Sequence, residues 1–186
     1  MRTTFPAVAV GLVAAVLVPV VAGCGPTPGG SPTTIAAPTG SPARPAGGAC
    51  YLLDFADIEQ TLGVRFDIAA ASRSKDTYTC VVRPALTDQP DLSLSVTATT
   101  ADVSVFKDTV TPDGASGVTG LGKVGYRTTL AAGAGKGPAV EVGWLSGDGR
   151  LLTLRFTLAA GQATGATQAV VPKVVALARK IDLSRV

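Results

Sequence analysis

The segment from Ala139 to Leu158, AVEVGWLSGDGRLLTLRFTL, constrains the fold more than any other part of this chain. Val140, Val142 and Trp144 point one way along one strand. Leu152, Leu154, Phe156 and Leu158 line the returning strand, with Thr153, Arg155 and Thr157 facing outward. Period-two alternation marks strands with one buried face, and the Ser146-Gly-Asp-Gly149 turn between them is hairpin chemistry. Such a hairpin exposes a greasy face that other elements must cover. Three further stretches share the pattern. Leu92, Leu94, Val96 and Ala98 alternate with Ser93, Ser95, Thr97 and Thr99; Tyr78, Cys80 and Val82 share one side of 77–83; Val124, Tyr126 and Thr128 alternate after a Gly-rich loop.

Helical spacing appears where the alternation stops. Asp54 can cap a short helix with Phe55, Ile58 and Leu62 on one face and Gly63 at its end. Thr100 is placed to cap a second short helix carrying Val103, Phe106 and Val110. Val170, Val174, Leu177, Ala178 and Ile181 mark a closing helix, with Arg179 and Lys180 complementing its dipole. Pro172 fits that helix only in its first turn, or else kinks it. The expectation is an α+β fold: a single antiparallel sheet of about five strands, with N- and C-terminal helices packed on one face. A polar outer face is expected when only one side is covered.

The start of the chain speaks of location. Met1-Arg2 precedes an apolar run from Phe5 to Val21, which closes on Val21-Ala-Gly-Cys24. A short positive n-region, an apolar h-region and small residues describe a secretory signal peptide over residues 1–23. The four residues ending in Cys24 resemble the lipobox of bacterial lipoproteins. That resemblance implies a diacylglyceryl thioether on Cys24, which becomes the mature N-terminus and holds the protein to a membrane. The alternative is a retained spanning helix, which Pro19 within the run disfavours. Residues 24–48 are dominated by Pro, Gly, Ser, Thr and Ala, with Ile35 the one large apolar residue. They read as a disordered tether reaching at most about 75 Å at polyproline spacing. The folded domain is expected over 49–186. Loss of Arg2 lowers the formal charge by one, from +3 to +2. A near-neutral chain without a basic cluster gives no electrostatic case for nucleic acid.

Of three cysteines, Cys24 goes to lipid. Cys50 and Cys80 remain, and an even remainder in an exported chain reads as one disulfide, the alternative being two buried thiols.

GVTGLGKVGY, residues 117–126, carries two phosphate-binding patterns: G-x-G-x-x-G in Gly120, Gly122 and Gly125, and most of a P-loop in Gly117, Gly122 and Lys123. A P-loop needs a strand before the glycines, a helix after them and Ser or Thr following the Lys. Here Val124 follows Lys123, turn residues precede the loop, and period two comes after it. The expectation is a turn whose glycines take positive φ, with no nucleotide. AAGAGKG, residues 131–137, reads as a second turn.

Taken in order, Cys50-Tyr-Leu-Leu, a helix ending in Leu62-Gly63, the second cysteine at Cys80, Gly120-Leu-Gly122 before a strand and a terminal amphipathic helix resemble a family of small actinobacterial envelope lipoproteins. That family is known only as a domain of unknown function. The likeness covers about residues 50–182; it departs at Val81, where an aromatic often follows the cysteine, and at Lys123, where an acid is common. It implies a membrane-attached extracytoplasmic domain and supplies no catalytic residues.

The chain has no histidine, which removes Ser-His-Asp and Cys-His catalysis and the most common zinc ligand. Asp54, Asp57 and Glu59 read as a helix N-terminus, and no motif surrounds a Ser-Lys pair. The expectation is therefore no enzyme, no metal and no cofactor. Trp144, with Phe156 and Tyr78, has two readings: core packing, or the lining of an apolar cavity between sheet and helices. Tyr51, Phe55 and Phe106 share them. The function expected is a non-catalytic binding module contacting another envelope or secreted protein, with a carrier or sensor of a small apolar ligand as the alternative.

Overall fold

The structure, a computed structural model, describes residue 43 and residues 46–183. The expected signal peptide, Cys24 and most of the expected tether lie outside the described residues. All described residues belong to the second of two units into which the chain divides, Ala37–Val186.

A 3-10 turn at Gly48–Leu52 leads into α1 (Phe55–Leu62). Asp54 caps α1 by accepting from the Ala56 N–H at 2.8 Å and the Asp57 N–H at 3.2 Å. Gly63 ends it at φ 75°, where a side chain would be strained. Four strands and a short helix follow: β1 (Ile68–Ser74), β2 (Thr77–Arg83), β3 (Asp91–Ala98), α2 (Val103–Val105, extended by a π turn at Phe106–Val110) and β4 (Ser116–Val118). The chain closes with β5 (Val124–Leu130), β6 (Ala139–Leu145), β7 (Arg150–Thr157) and α3 (Ala166–Leu183). The strands form one seven-stranded sheet in the order β1-β2-β3-β7-β6-β5-β4, every neighbouring pair antiparallel.

The α+β class and the single antiparallel sheet agree with the sequence, but the sheet is wider than the five strands expected. β1 and β4 are the additions. β1 reads IAAASRS, and it runs along one edge with most of its side chains exposed, so no alternation betrays it. β4 has three residues and forms the opposite edge.

Register aligns the apolar residues on one face. Cys80 lies opposite Leu94, Leu94 opposite Leu154, and Leu154 opposite Val142. The flanking rows add Val82, Leu92, Phe156 and Val140 on one side and Val96, Leu152 and Trp144 on the other. α1, α3 and the 3-10 turn cover this face, bringing Leu53, Ile58, Val174, Leu177, Ala178 and Ile181 into the same core. Ala43 also packs there at 2% exposure, upstream of the expected start of the domain at residue 49. The disulfide joins Cys50 of the turn to Cys80 of β2, with Cα atoms 5.0 Å apart.

Two local expectations are corrected. α2 covers the other face of the sheet, where Phe106 packs with Tyr126 and Leu145; the ring centroids of Phe106 and Tyr126 are 5.9 Å apart. Its cap is Asp102, which accepts from the Ser104 and Val105 N–H groups at 2.9 Å, while Thr99, before the expected cap Thr100, accepts from the Ala101 N–H at 3.1 Å. A carboxylate two residues further on wins because one of its oxygens, Oδ1, reaches both orphan donors at once and takes the Ser104 hydroxyl as well. Pro172 sits well past the first turn of α3, so the Gln168 carbonyl lacks its usual helical donor.

The segment 117–126 is the β4–β5 hairpin, a strand–turn–strand and not the strand–loop–helix of a phosphate cradle. Gly120 and Gly122 take φ 68° and 53°, as the turn reading requires. Gly122 has a second reason to be glycine, since a Cβ there would sit 2.3 Å from the Leu145 carbonyl oxygen.

Candidate functional site

The three residues proposed to line an apolar cavity do not share one. Trp144 is fully buried, its indole N–H donating to Asp182 Oδ1 at 3.0 Å. Phe156 is 2% exposed and meets Phe66 edge to face, with centroids 6.5 Å apart. Both are packed in the sheet–helix core. Tyr78 stands at the rim of that core, 37% exposed, and belongs to a different surface.

That surface is an apolar groove of about 310 Å³, lined by Gly48, Ala49, Tyr51, Leu52, Tyr78, Val96 and Arg150. The 3-10 turn supplies Tyr51, which is 61% exposed although the neighbouring Cys50 is fully buried. The disulfide fixes this turn against β2 and so fixes the spacing of Tyr51 from Tyr78. Gly48 takes φ 55°, where a side chain would be strained, while a Cβ there would meet Tyr78 Cδ1 at an ordinary contact distance of 3.8 Å. Arg73 places its guanidinium 4.9 Å from the Tyr78 ring centroid, a cation–π contact worth about 0.5–1 kcal/mol at an exposed site. Arg150, on the opposite wall, pairs with Asp148 at 3.1 Å.

Away from the Phe106 cluster, the other face of the sheet is polar. Thr77 and Thr97 hydroxyls meet at 2.8 Å, and Thr79 and Ser95 at 3.2 Å, across β2 and β3. In its middle a charged side chain is buried: Glu141, 6% exposed. It is held by the Tyr126 hydroxyl, which donates at 2.9 Å, and by Arg155, whose Nε donates at 2.9 Å. Burial without such partners would cost several kcal/mol. Burial first, and then the adjacent Glu141 carboxylate, raise the Tyr126 hydroxyl well above its ordinary pKa, so it stays a donor at physiological pH. The ring lies across Gly143, where a Cβ would come within 2.4 Å of it.

Near one end of this face lies a second groove, of about 390 Å³, where β2, β3 and β7 meet the 131–137 loop. Asp91 is on its floor, accepting from the Thr157 hydroxyl at 3.2 Å. Partial burial raises the Asp91 carboxyl above the usual range, against the opposing pull of the Thr157 hydrogen bond, Lys136 and Arg155. Nothing local to Asp88-Gln-Pro-Asp91 signals that β7 and a distant loop bring Arg155 and Lys136 beside these carboxylates. Among the described residues no group of three or more Cys, Asp or Glu is placed to hold a metal ion. No described helix is long and apolar enough to cross a membrane.

Compared with protein-family models, curated proteins and solved structures, the chain matches none.

Proposed function

We propose that the chain is a lipid-anchored extracytoplasmic protein, akin to the actinobacterial lipoproteins it resembles, and that its domain is a non-catalytic module binding another envelope or secreted protein. The anchor rests on Val21-Ala-Gly-Cys24 and the apolar run before it. The observation that carries the binding reading is the groove beside the start of the domain, where Tyr51 and Tyr78 are exposed at 61% and 37%. Tyrosine and arginine are the side chains most enriched where protein interfaces concentrate their energy, because they bury a large rigid area and keep a polar handle. Arg73 and Arg150 flank the two rings.

A carrier of an apolar ligand between sheet and helices would need room where Trp144, Leu154 and Phe156 are at most 2% exposed. A filled core supports the binding module over the carrier. Two experiments test the proposal. Cys24→Ala should move the protein from the membrane fraction to the medium; retention on the membrane would contradict a lipid anchor. Native mass spectrometry of the protein should give the mass of the lipidated chain alone. A reproducible additional mass lost on denaturation would instead support the carrier.

A further inference from the structure

The groove beneath the 131–137 loop has a charge pattern that its own contacts leave unbalanced. Register places Ala139 opposite Thr157 and Thr157 opposite Asp91; the next row runs Glu141, Arg155, Ser93, Val81. The loop stands at the end of these rows, tied down by the Gly137 N–H donating to Gln89 Oε1 at 3.3 Å. Two of the three cations lining the groove, Arg83 and Arg155, are already paired. Arg83 pairs with Asp88 at 3.0 Å, and Arg155 gives both its Nε and its Nη2 to Glu141. Two groups are left over. Asp91 has a hydroxyl donor, Thr157, but among the described residues no cation within ion-pair distance. Lys136, on the loop, likewise has no carboxylate within that distance among the described residues. They line one groove and act on each other only through space.

We propose that this groove binds a small zwitterion of dipeptide size, its ammonium against Asp91 and its carboxylate against Lys136. A simple anion would face the carboxylates of Asp91 and Asp88, and a simple cation would face Lys136, Arg83 and Arg155; like charges at such range are unfavourable. A molecule carrying both signs meets complementary groups at each end. Ser93 and Thr157 offer hydroxyls for the polar atoms between, and Val81 and Leu130 give apolar contact to short side chains. No aromatic ring lines the groove, which argues against a sugar that needs a stacking platform. Its volume, about 390 Å³, is at the lower end of the range for small-molecule clefts. The site is on the opposite face of the sheet from Tyr78 and is independent of the protein-binding surface proposed above.

The test is calorimetric titration of the full-length protein in detergent micelles with L-alanyl-L-alanine, with its N-acetyl derivative and with its C-terminal amide. The expected result is saturable binding of the free dipeptide, weakened about tenfold or more by either block. Asp91→Asn and Lys136→Met should each weaken the free dipeptide by a similar factor, while Thr97→Val, on the same face away from the groove, should not. Circular dichroism would verify that each variant is folded. Absence of saturable dipeptide binding would overturn the proposal. Equal binding of the N-acetyl derivative would also overturn it, in favour of an anion site, and equal binding of the amide would do so in favour of a cation site.

Discussion

One carboxylate, Asp182, fastens the last turn of α3 to the sheet through Trp144. The indole N–H donates to Asp182 Oδ1 at 3.0 Å, and Asp182 Oδ2 accepts the Gly122 N–H at 3.1 Å. The helix end, the middle of the core and the β4–β5 turn are thereby joined at one side chain. Asp182→Ala would strand a buried indole donor and should cost about 1–3 kcal/mol of stability. The chain has one tryptophan, so its fluorescence during urea unfolding reads this site directly; an unchanged midpoint would mean the contact adds nothing.

Gly122 and Gly117 belong to the same Gly-rich stretch but should respond differently to substitution. Gly122 is at φ 53°, and a Cβ there would lie 2.3 Å from the Leu145 carbonyl oxygen, whereas a Cβ on Gly117 meets nothing within 4 Å. Gly122→Ala should therefore cost at least about 1–3 kcal/mol from the backbone alone, with the clash in addition. Gly117→Ala should change stability by less than about 1 kcal/mol. Thermal melts of the two variants give the comparison, and equal losses would contradict the backbone and steric constraint placed on Gly122.

The Cys50–Cys80 bond closes a loop with a sequence separation of 30 residues. Replacing both residues with Ala should destabilise the domain by about 3–4 kcal/mol in the chain-entropy picture. Reductant should lower the melting temperature of the native protein and leave the double variant unmoved. The same pair holds the Tyr51 turn against β2, so reduction should also loosen the aromatic groove, visible as increased protease cleavage near residue 51.

Asp91 gives the fold a pH dependence with a definite sign. Its carboxyl is raised from an ordinary value of 3.8, chiefly by burial. Between that value and the raised one, the folded state holds a proton that the unfolded state has released. The contribution of Asp91 to stability therefore declines as pH rises through this window, and above it the ionised group is a standing cost. Asp91→Asn should raise the melting temperature at pH 7 and flatten the curve above about pH 4. A variant less stable than the native protein at pH 7 would show that the ionised carboxylate is instead stabilised by Lys136 and Arg155.

The strands that could be read in the sequence are those with one buried and one wet face. Leu92, Leu94 and Val96, and Leu152, Leu154 and Phe156, alternate because solvent lies on the other side of the sheet. β1 escaped notice because Ala69 to Ser74 face little core on either side. Val103, Phe106 and Val110 revealed an apolar helix face, but not which side of the sheet it covers. That is set by the direction in which Tyr126 and Leu145 project, a matter of register between distant segments. The same nonlocality hid the charged groove, whose Asp91, Lys136 and Arg155 come from three separated stretches brought together by the strand order β3-β7-β6. Trp144 and Phe156 were visible as apolar strand residues, and their burial follows from the alternation that made them visible.

The most direct test of the account places a photo-crosslinking amino acid at position 51 in intact cells, with position 86 as the comparison. Leu86, at 96% exposure, lies on the 84–90 loop away from the aromatic groove. The account predicts one discrete protein adduct at position 51, absent at position 86 and lost when Tyr78→Ala is added. The same adducts from both positions, or an adduct at position 51 that is indifferent to Tyr78, would contradict a protein-binding surface built on these two tyrosines.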